Sequence, residues 1–137
     1  MGENVLVDAA FLAALLIPRD SHHDWAVAQS ARHGRPWQTC EAALSETSYL
    51  LGARGTPKLI ELLRRRLVVP SFAFADNCDG VLDLMHKYSD VPISLADACL
   101  VRMTEILSNP MVLTADSDFR VYRRHGRRVI PLVAPWT

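Results

Sequence analysis

The chain alternates short strand-forming stretches with longer helical ones, and this alternation restricts the possible folds more than any other feature. Val5-Leu6-Val7, Pro36-Trp37-Gln38-Thr39, Leu67-Val68-Val69, residues 111–114 and Val129-Ile130 read as strands. Between them lie Ala/Leu-rich residues 9–16, halted by Pro18, then 24–32, closed by Gly34, and 41–54, ending at Gly52 and Gly55. Proline suits the first turn of a helix and a hydroxyl caps that turn, so Thr56-Pro57 predicts a further helix running to Arg64-Arg65-Arg66. Apolar residues at helical spacing mark two more: Phe74, Cys78, Val81, Leu82, Met85 and Tyr88, then Ala96, Cys99, Leu100, Met103 and Leu107. Strands and helices interleaved in this way predict an α/β fold, a three-layer α/β/α sandwich around a mostly parallel central sheet. With 137 residues and no repeat, linker or low-complexity tract, one domain spanning 1–137 is expected.

Half of the residues are hydrophobic, enough for a core and outside the disordered range. Lys plus Arg and Asp plus Glu stand at 15 each, so no global basic charge advertises nucleic acid, and any such contact must come from a local patch. The opening, MGENVLVD, lacks the basic start and long apolar middle of a secretory signal. The apolar run 9–17 falls far short of the roughly 20 residues a membrane-spanning helix needs. Cys40, Cys78 and Cys99 are odd in number and scattered, without metal-ligand or redox spacing, and read as buried thiols of a reducing compartment. The expectation is a cytoplasmic protein with no membrane association.

The acids fall where an α/β sheet presents its ligands. Asp8 ends the first strand, and Asp116 follows the strand at 111–114, with Asp118 just beyond. Open parallel sheets bind ligands past the carboxyl ends of their strands. Glu46 lies mid-helix among Ala42, Ala43, Leu44, Tyr49 and Leu50, and Asp97 lies in the first turn of the helix that begins near Ser94. If these carboxylates converge, each like-charged pair at about 4 Å costs on the order of 4 kcal/mol at an effective dielectric of 20. Such a cluster calls for a counter-charge, and hard oxygen ligands select Mg²⁺ or Mn²⁺, ions that polarise a phosphodiester and generate hydroxide from water. Each acid also has a simpler reading. Asp97 three residues after Ser94 fits a capping box, Asp8 can cap the helix after its strand, Glu46 can be solvated, and Asp116 and Asp118 can be turn residues. Spacing alone permits convergence without requiring it.

Four ordered segments together resemble PIN-domain proteins. VLVDAAFLAALLIPRDSHHDWA is similar to the family's opening: strand, aspartate, helix, acidic loop. TCEAALSETSYLL resembles the helix carrying the glutamate, DVPISLADACLVRMTE the aspartate after a Ser-Leu-Ala lead-in, and VLTADSDFRVYRRHGRRVIPLV the final strand, Thr, Asp and Asp-Phe. The likeness runs nearly end to end and is closest to VapC-type toxins of toxin–antitoxin pairs. It implies a Mg²⁺- or Mn²⁺-dependent endoribonuclease hydrolysing RNA phosphodiester bonds, with tRNA or rRNA as substrate. It also implies the toxin of a type II pair, held inactive by a cognate antitoxin. The implied acidic site is Asp8, Glu46, Asp97 and Asp116, with Asp118 in support and the hydroxyls of Ser94 and Thr114 orienting the acids or bound water. Asp8 and Asp97 would hold one ion, while Glu46 and Asp116 would help place a second ion or the attacking water. Asp20 and His23 match a recurrent acidic-loop feature. The position after the first aspartate, usually a small or hydroxyl residue, is Ala9 here, which removes one possible hydrogen bond to the site.

Arg123, Arg124, Arg127 and Arg128 form the candidate contact to the RNA backbone, with a solvated turn as the plainer alternative. Arg64 to Arg66 read as helix-end charge. His22 and His23 have no matching zinc ligands, and the separated Trp25, Trp37 and Trp136 read as core or interface. Leu50, Leu51, Leu59, Ile60, Leu62 and Leu63 give the 41–66 region more apolar surface than one sheet covers, which predicts a homodimer or an antitoxin groove. Two other functions compete. A PIN-like module that binds RNA or protein without chemistry has no need of the full set of acids. A phosphotransferase or receiver-like domain with Asp8 as nucleophile needs a nearby lysine, and the only lysines are Lys58 and Lys87.

Overall fold

The structure, a computed structural model, describes residues 2–136. Seven strands follow in chain order: β1 (Asn4–Val7), β2 (Trp37–Thr39), β3 (Val68–Pro70), β4 (Pro110–Leu113), β5 (Arg123–Arg124), β6 (Arg128–Val129) and β7 (Leu132–Val133). The helices are α1 (Ala9–Leu16), α2 (His23–Arg32), α3 (Glu41–Arg64), α4 (Cys78–Lys87) and α5 (Leu95–Ile106). Five strands make the central sheet in the order β3-β2-β1-β4-β7, with every pairing parallel. β5 and β6 pair separately as an antiparallel hairpin.

Side chains alternate across a strand, so each strand feeds two cores. Val5, Val7, Met111 and Leu113 pack on one face with Phe11 and Leu12 of α1, Ala26 of α2 and Trp37. Leu6 and Val112 point the other way, onto Val81 and Leu84 of α4 and Leu100 and Met103 of α5. α3 straddles the two: Ala43 lies in the second core while Leu44 packs against the first. This is the three-layer α/β/α sandwich expected from the alternation.

The chain winds from β1 through β2 to β3 in one direction, then returns through α4 and α5 to add β4 and β7 on the other side of β1. The strand order therefore reverses between β1 and β4. At such a reversal the flanking connections part to opposite faces and leave a crevice beyond the strands' carboxyl ends.

Three element boundaries differ from expectation. The last central strand is β7, not Val129-Ile130. The β5–β6 hairpin turns at His125 and Gly126, with φ of 51° and 83°, and carries Val129 out to 69% exposure, so Leu132 and Val133 reach β4 instead. The 41–66 region is one element broken at Gly52, not at Thr56-Pro57. Gly52 takes φ 64° and ψ −173°, and the Thr56 hydroxyl donates to its carbonyl at 2.7 Å. The helix expected from Phe74 begins as a 3-10 turn, with Phe74 exposed, and becomes α4 only at Cys78.

The aromatic and thiol side chains fill the packing. Trp37 is fully buried, and Phe11 meets Trp37 and Trp25 edge to face at 5.5 and 5.8 Å. Cys40 and Cys99 are buried, whereas Cys78 is only half-buried. Leu51 and Leu59 of α3 are buried and Leu62 and Leu63 half covered, leaving Tyr49, Leu50 and Ile60 exposed. Among the described residues no helix is long and apolar enough to cross a membrane.

Candidate active site

Asp8 is the residue where β1 becomes α1. Its extended backbone and short carboxylate suit the N-cap: Oδ1 accepts the Phe11 N–H at 2.8 Å, satisfying a donor the helix leaves free. The side chain is nevertheless only 3% exposed, because the end of β1 lies in the middle of the sheet. Thr114, buried just past the end of the adjacent β4, donates its hydroxyl to Oδ2 of Asp8. The same hydroxyl oxygen accepts the Asp116 N–H at 2.9 Å, and Asp116 in turn accepts the Asp118 N–H at 2.9 Å. One hydroxyl thus joins the acid on β1 to the acids beyond β4, across the point where the sheet reverses.

Asp97 arrives from the opposite layer. Ser94 caps α5 by accepting the Asp97 N–H at 3.0 Å, which seats Asp97 in the first turn, where the helix dipole favours negative charge. The Tyr122 hydroxyl stands 3.3 Å from its Oδ2. Glu46 projects from an exposed position on α3.

The electrostatics tie these groups together through Asp97. Burial pushes the Asp8 carboxyl up to about 7, with the charges of Asp97 and Asp116 adding to the rise and the bonds from Thr114 and Phe11 opposing it. Asp97 is likewise pushed up to about 7, first by burial, then by Asp116, Glu46 and Asp118, while Tyr122 opposes the shift. Burial, and then the surrounding carboxylates, hold the Tyr122 phenol protonated far above the ordinary range. Asp97 therefore lies within electrostatic reach of the other four acids singled out in the sequence, and Asp8 within reach of Asp97 and Asp116. For Asp8, Asp97 and Asp116 the capping or turn role expected from sequence is present as well, since each of these residues takes part in a cap.

The four arginines do not form one surface. Arg123 folds back onto the carbonyls of Arg120, Val121 and Tyr122, and Arg124 donates to the Thr104 carbonyl, so both are engaged within the protein. Arg127 and Arg128 are exposed. Asp20 and His23 act in their own loop: Asp20 accepts the His22 N–H at 2.9 Å, and His23 Nδ1 donates to the Ala14 carbonyl at 2.8 Å, tying α2 to α1. Tyr122 carried no signal in the sequence. It follows Asp-Phe in an ordinary polar context, and only the fold brings it to Asp97.

An open α/β domain wound in both directions, with carboxylates gathered where the winding reverses, is the class these observations define. The sequence matches the PIN domain over residues 5–124, and the chain belongs to the PIN-domain family. Among solved structures it is similar to Mycobacterium tuberculosis VapC20, a sarcin-ricin loop cleaving toxin, with a TM-score of 0.73 over 86% of this chain and 94% of that one. The two share 22% sequence identity, so the likeness is one of fold. No curated protein matches the sequence.

Proposed function

We propose that this chain is a metal-dependent endoribonuclease that hydrolyses RNA phosphodiester bonds, and that it is the toxin of a type II toxin–antitoxin pair. What supports this reading is that Asp8 and Asp97 are both raised to about 7, Asp8 by burial and by the charges of Asp97 and Asp116, and Asp97 by burial and by those of Asp116, Glu46 and Asp118. Burying like charges together is unfavourable unless a cation joins them.

The donor set fits Mg²⁺ or Mn²⁺. It offers carboxylate oxygens alone, which suit hard cations better than zinc. Among the described residues no three His, Cys, Asp or Glu side chains are grouped so as to hold a metal ion by themselves. Mg²⁺ keeps several waters and takes one or two protein carboxylates. Asp8 and Asp97 would hold the ion, with Glu46 and Asp116 available for a second ion or for orienting the attacking water and Asp118 in support. When bound, such an ion supplies positive charge against the phosphodiester oxygens and lowers the pKa of water. Thr114 holds Asp8 and Asp116 in fixed relation, and Ser94 fixes the turn that presents Asp97.

Membership of the PIN family, and a fold shared with a protein that cleaves the sarcin-ricin loop, support structured RNA (tRNA or rRNA) as the substrate class. They also support a cognate antitoxin as partner and the cytoplasm as the place of action. The exposed Tyr49, Leu50 and Ile60 on α3 favour a homodimer. Among the described residues, Arg127 and Arg128 are the exposed hairpin arginines that would meet phosphates, while Arg123 and Arg124 are engaged internally.

Incubating the protein with tRNA and rRNA in Mn²⁺ tests the reading. Cleavage should appear, stop with EDTA, and be lost in Asp8→Asn. Cleavage indifferent to EDTA or to that substitution rejects the metal mechanism. RNA binding without any cleavage would favour the non-catalytic module.

A further inference from the structure

Asp97 is held differently from Asp8. Asp8 has two donors, the Phe11 N–H and the Thr114 hydroxyl. Among the described residues, Asp97 has one donor to its carboxylate, the Tyr122 hydroxyl at 3.3 Å. That hydroxyl also lies 3.0 Å from the Pro92 carbonyl. Its single proton therefore has two acceptors, and an ionised carboxylate is the stronger.

Tyr122 has little freedom to move away. It is fully buried, and its ring packs edge to face on Tyr88 at 5.3 Å and on Phe119 at 5.2 Å. The arginine-rich segment after it is fastened to both helices of this layer. The Tyr88 hydroxyl accepts the Arg123 N–H at 2.8 Å, and the Lys87 ammonium donates to the Gly126 carbonyl at 2.7 Å, both from the C-terminal end of α4. On α5, the Thr104 carbonyl accepts from Arg124 and the Glu105 carboxylate accepts the His125 N–H at 2.8 Å. α5 is the helix that carries Asp97, so phenol and carboxylate are fixed to one frame.

We propose that Tyr122 is a positioning residue that orients the Asp97 carboxylate for a divalent cation, and that the arginine-rich hairpin is the clamp that seats it. The proposal rests on the metal-dependent reading above. A ligand oriented by a neighbouring donor loses less freedom on binding, and removing such an outer partner weakens metal affinity by about 10- to 100-fold. The hairpin's sequence, which suggests a phosphate-binding patch, then has a different first duty: Arg123 and Arg124 serve the fold behind the site.

Calorimetric titration of the metal-free protein with Mn²⁺ tests this apart from activity. Tyr122→Phe keeps both ring contacts and should weaken Mn²⁺ binding about tenfold or more. Tyr88→Phe removes the hydroxyl that accepts the Arg123 N–H, one fastening of the clamp, but leaves the Tyr122 hydroxyl against Asp97, so its Mn²⁺ affinity should fall by less than that of Tyr122→Phe. Arg124→Met loosens the clamp and should weaken binding alone, but add nothing to Tyr122→Phe. Should Tyr122→Phe fail to fold, Arg124→Met carries the test. Unchanged affinity in a folded Tyr122→Phe, or equal losses in Tyr122→Phe and Tyr88→Phe, overturns the positioning role, and unchanged affinity in Arg124→Met overturns the clamp. No Mn²⁺ heat from wild type instead overturns the underlying metal reading.

Discussion

Asp8 combines three demands that pull against one another. It caps α1, binds Thr114 and lies buried beside Asp97 and Asp116. Capping and the Thr114 bond favour the anion, whereas burial and the neighbouring acids favour the neutral form, and the second pair wins: the carboxyl rises from 3.8 to about 7. An acid with a raised native pKa makes a destabilising contribution as pH increases. Between about 4 and 7 the unfolded chain releases a proton that the native protein keeps, so the contribution worsens through that window and levels off above it. Asp8→Asn removes this term and keeps an oxygen for the Phe11 N–H. The metal-free variant should therefore gain in thermal midpoint relative to wild type as pH rises from 4 to 7.5. A difference that is flat or shrinks with pH would contradict the burial account. Added Mn²⁺ binds the ionised acids, so its stabilisation of wild type should grow over the same range.

At the scale of elements, the decisive position is Gly52. Its φ of 64° with ψ of −173° lies in a region that side-chain-bearing residues essentially avoid. The break it makes divides α3 into a first segment bearing Glu46 and a second that closes the fold with Leu59. A Cβ at Gly52 would meet nothing within 4 Å, so the cost of Gly52→Ala is purely conformational, about 1–3 kcal/mol. Urea unfolding should show the midpoint falling with the slope unchanged. A variant as stable as wild type would mean the break is incidental. The β5–β6 hairpin follows the same logic: left-handed His125 and Gly126 reverse the chain early, which exposes Val129 and delivers Leu132 to β4.

For the molecule as a whole, the reversal of strand order between β1 and β4 matters most. It carries α1 and α2 to one face and α4 and α5 to the other, and leaves the carboxyl ends of the two central strands open between them. α3 straddles the layers and keeps Tyr49, Leu50 and Ile60 in solvent, with Tyr49 87% exposed. An isolated apolar side chain needs no explanation, but Tyr49 and Leu50 before the Gly52 break and Ile60 after it suit the symmetric interface proposed above. Light scattering across a range of concentrations should give the mass of a dimer. Leu50→Glu with Ile60→Glu should shift it to a monomer, and a monomer at every concentration in the unmodified protein would dismiss the interface.

Whatever local chemistry controls is legible in the order of the residues. Strand and helix alternation announced the layers, the apolar triplet Val5-Leu6-Val7 ended in Asp8, and Ser94 announced its own cap. Those signals lie within a few residues of one another, so they survive without a fold. Only assembly of the fold brings the Thr114 hydroxyl to donate to Asp8, 106 positions away, and Tyr122 to reach Asp97 across 25 residues. It also decided that Arg124 turns inward to Thr104 although its neighbours in sequence are as basic as a phosphate contact would need. A carboxylate's role depends on what is buried beside it, and burial belongs to the assembled sheet and helices.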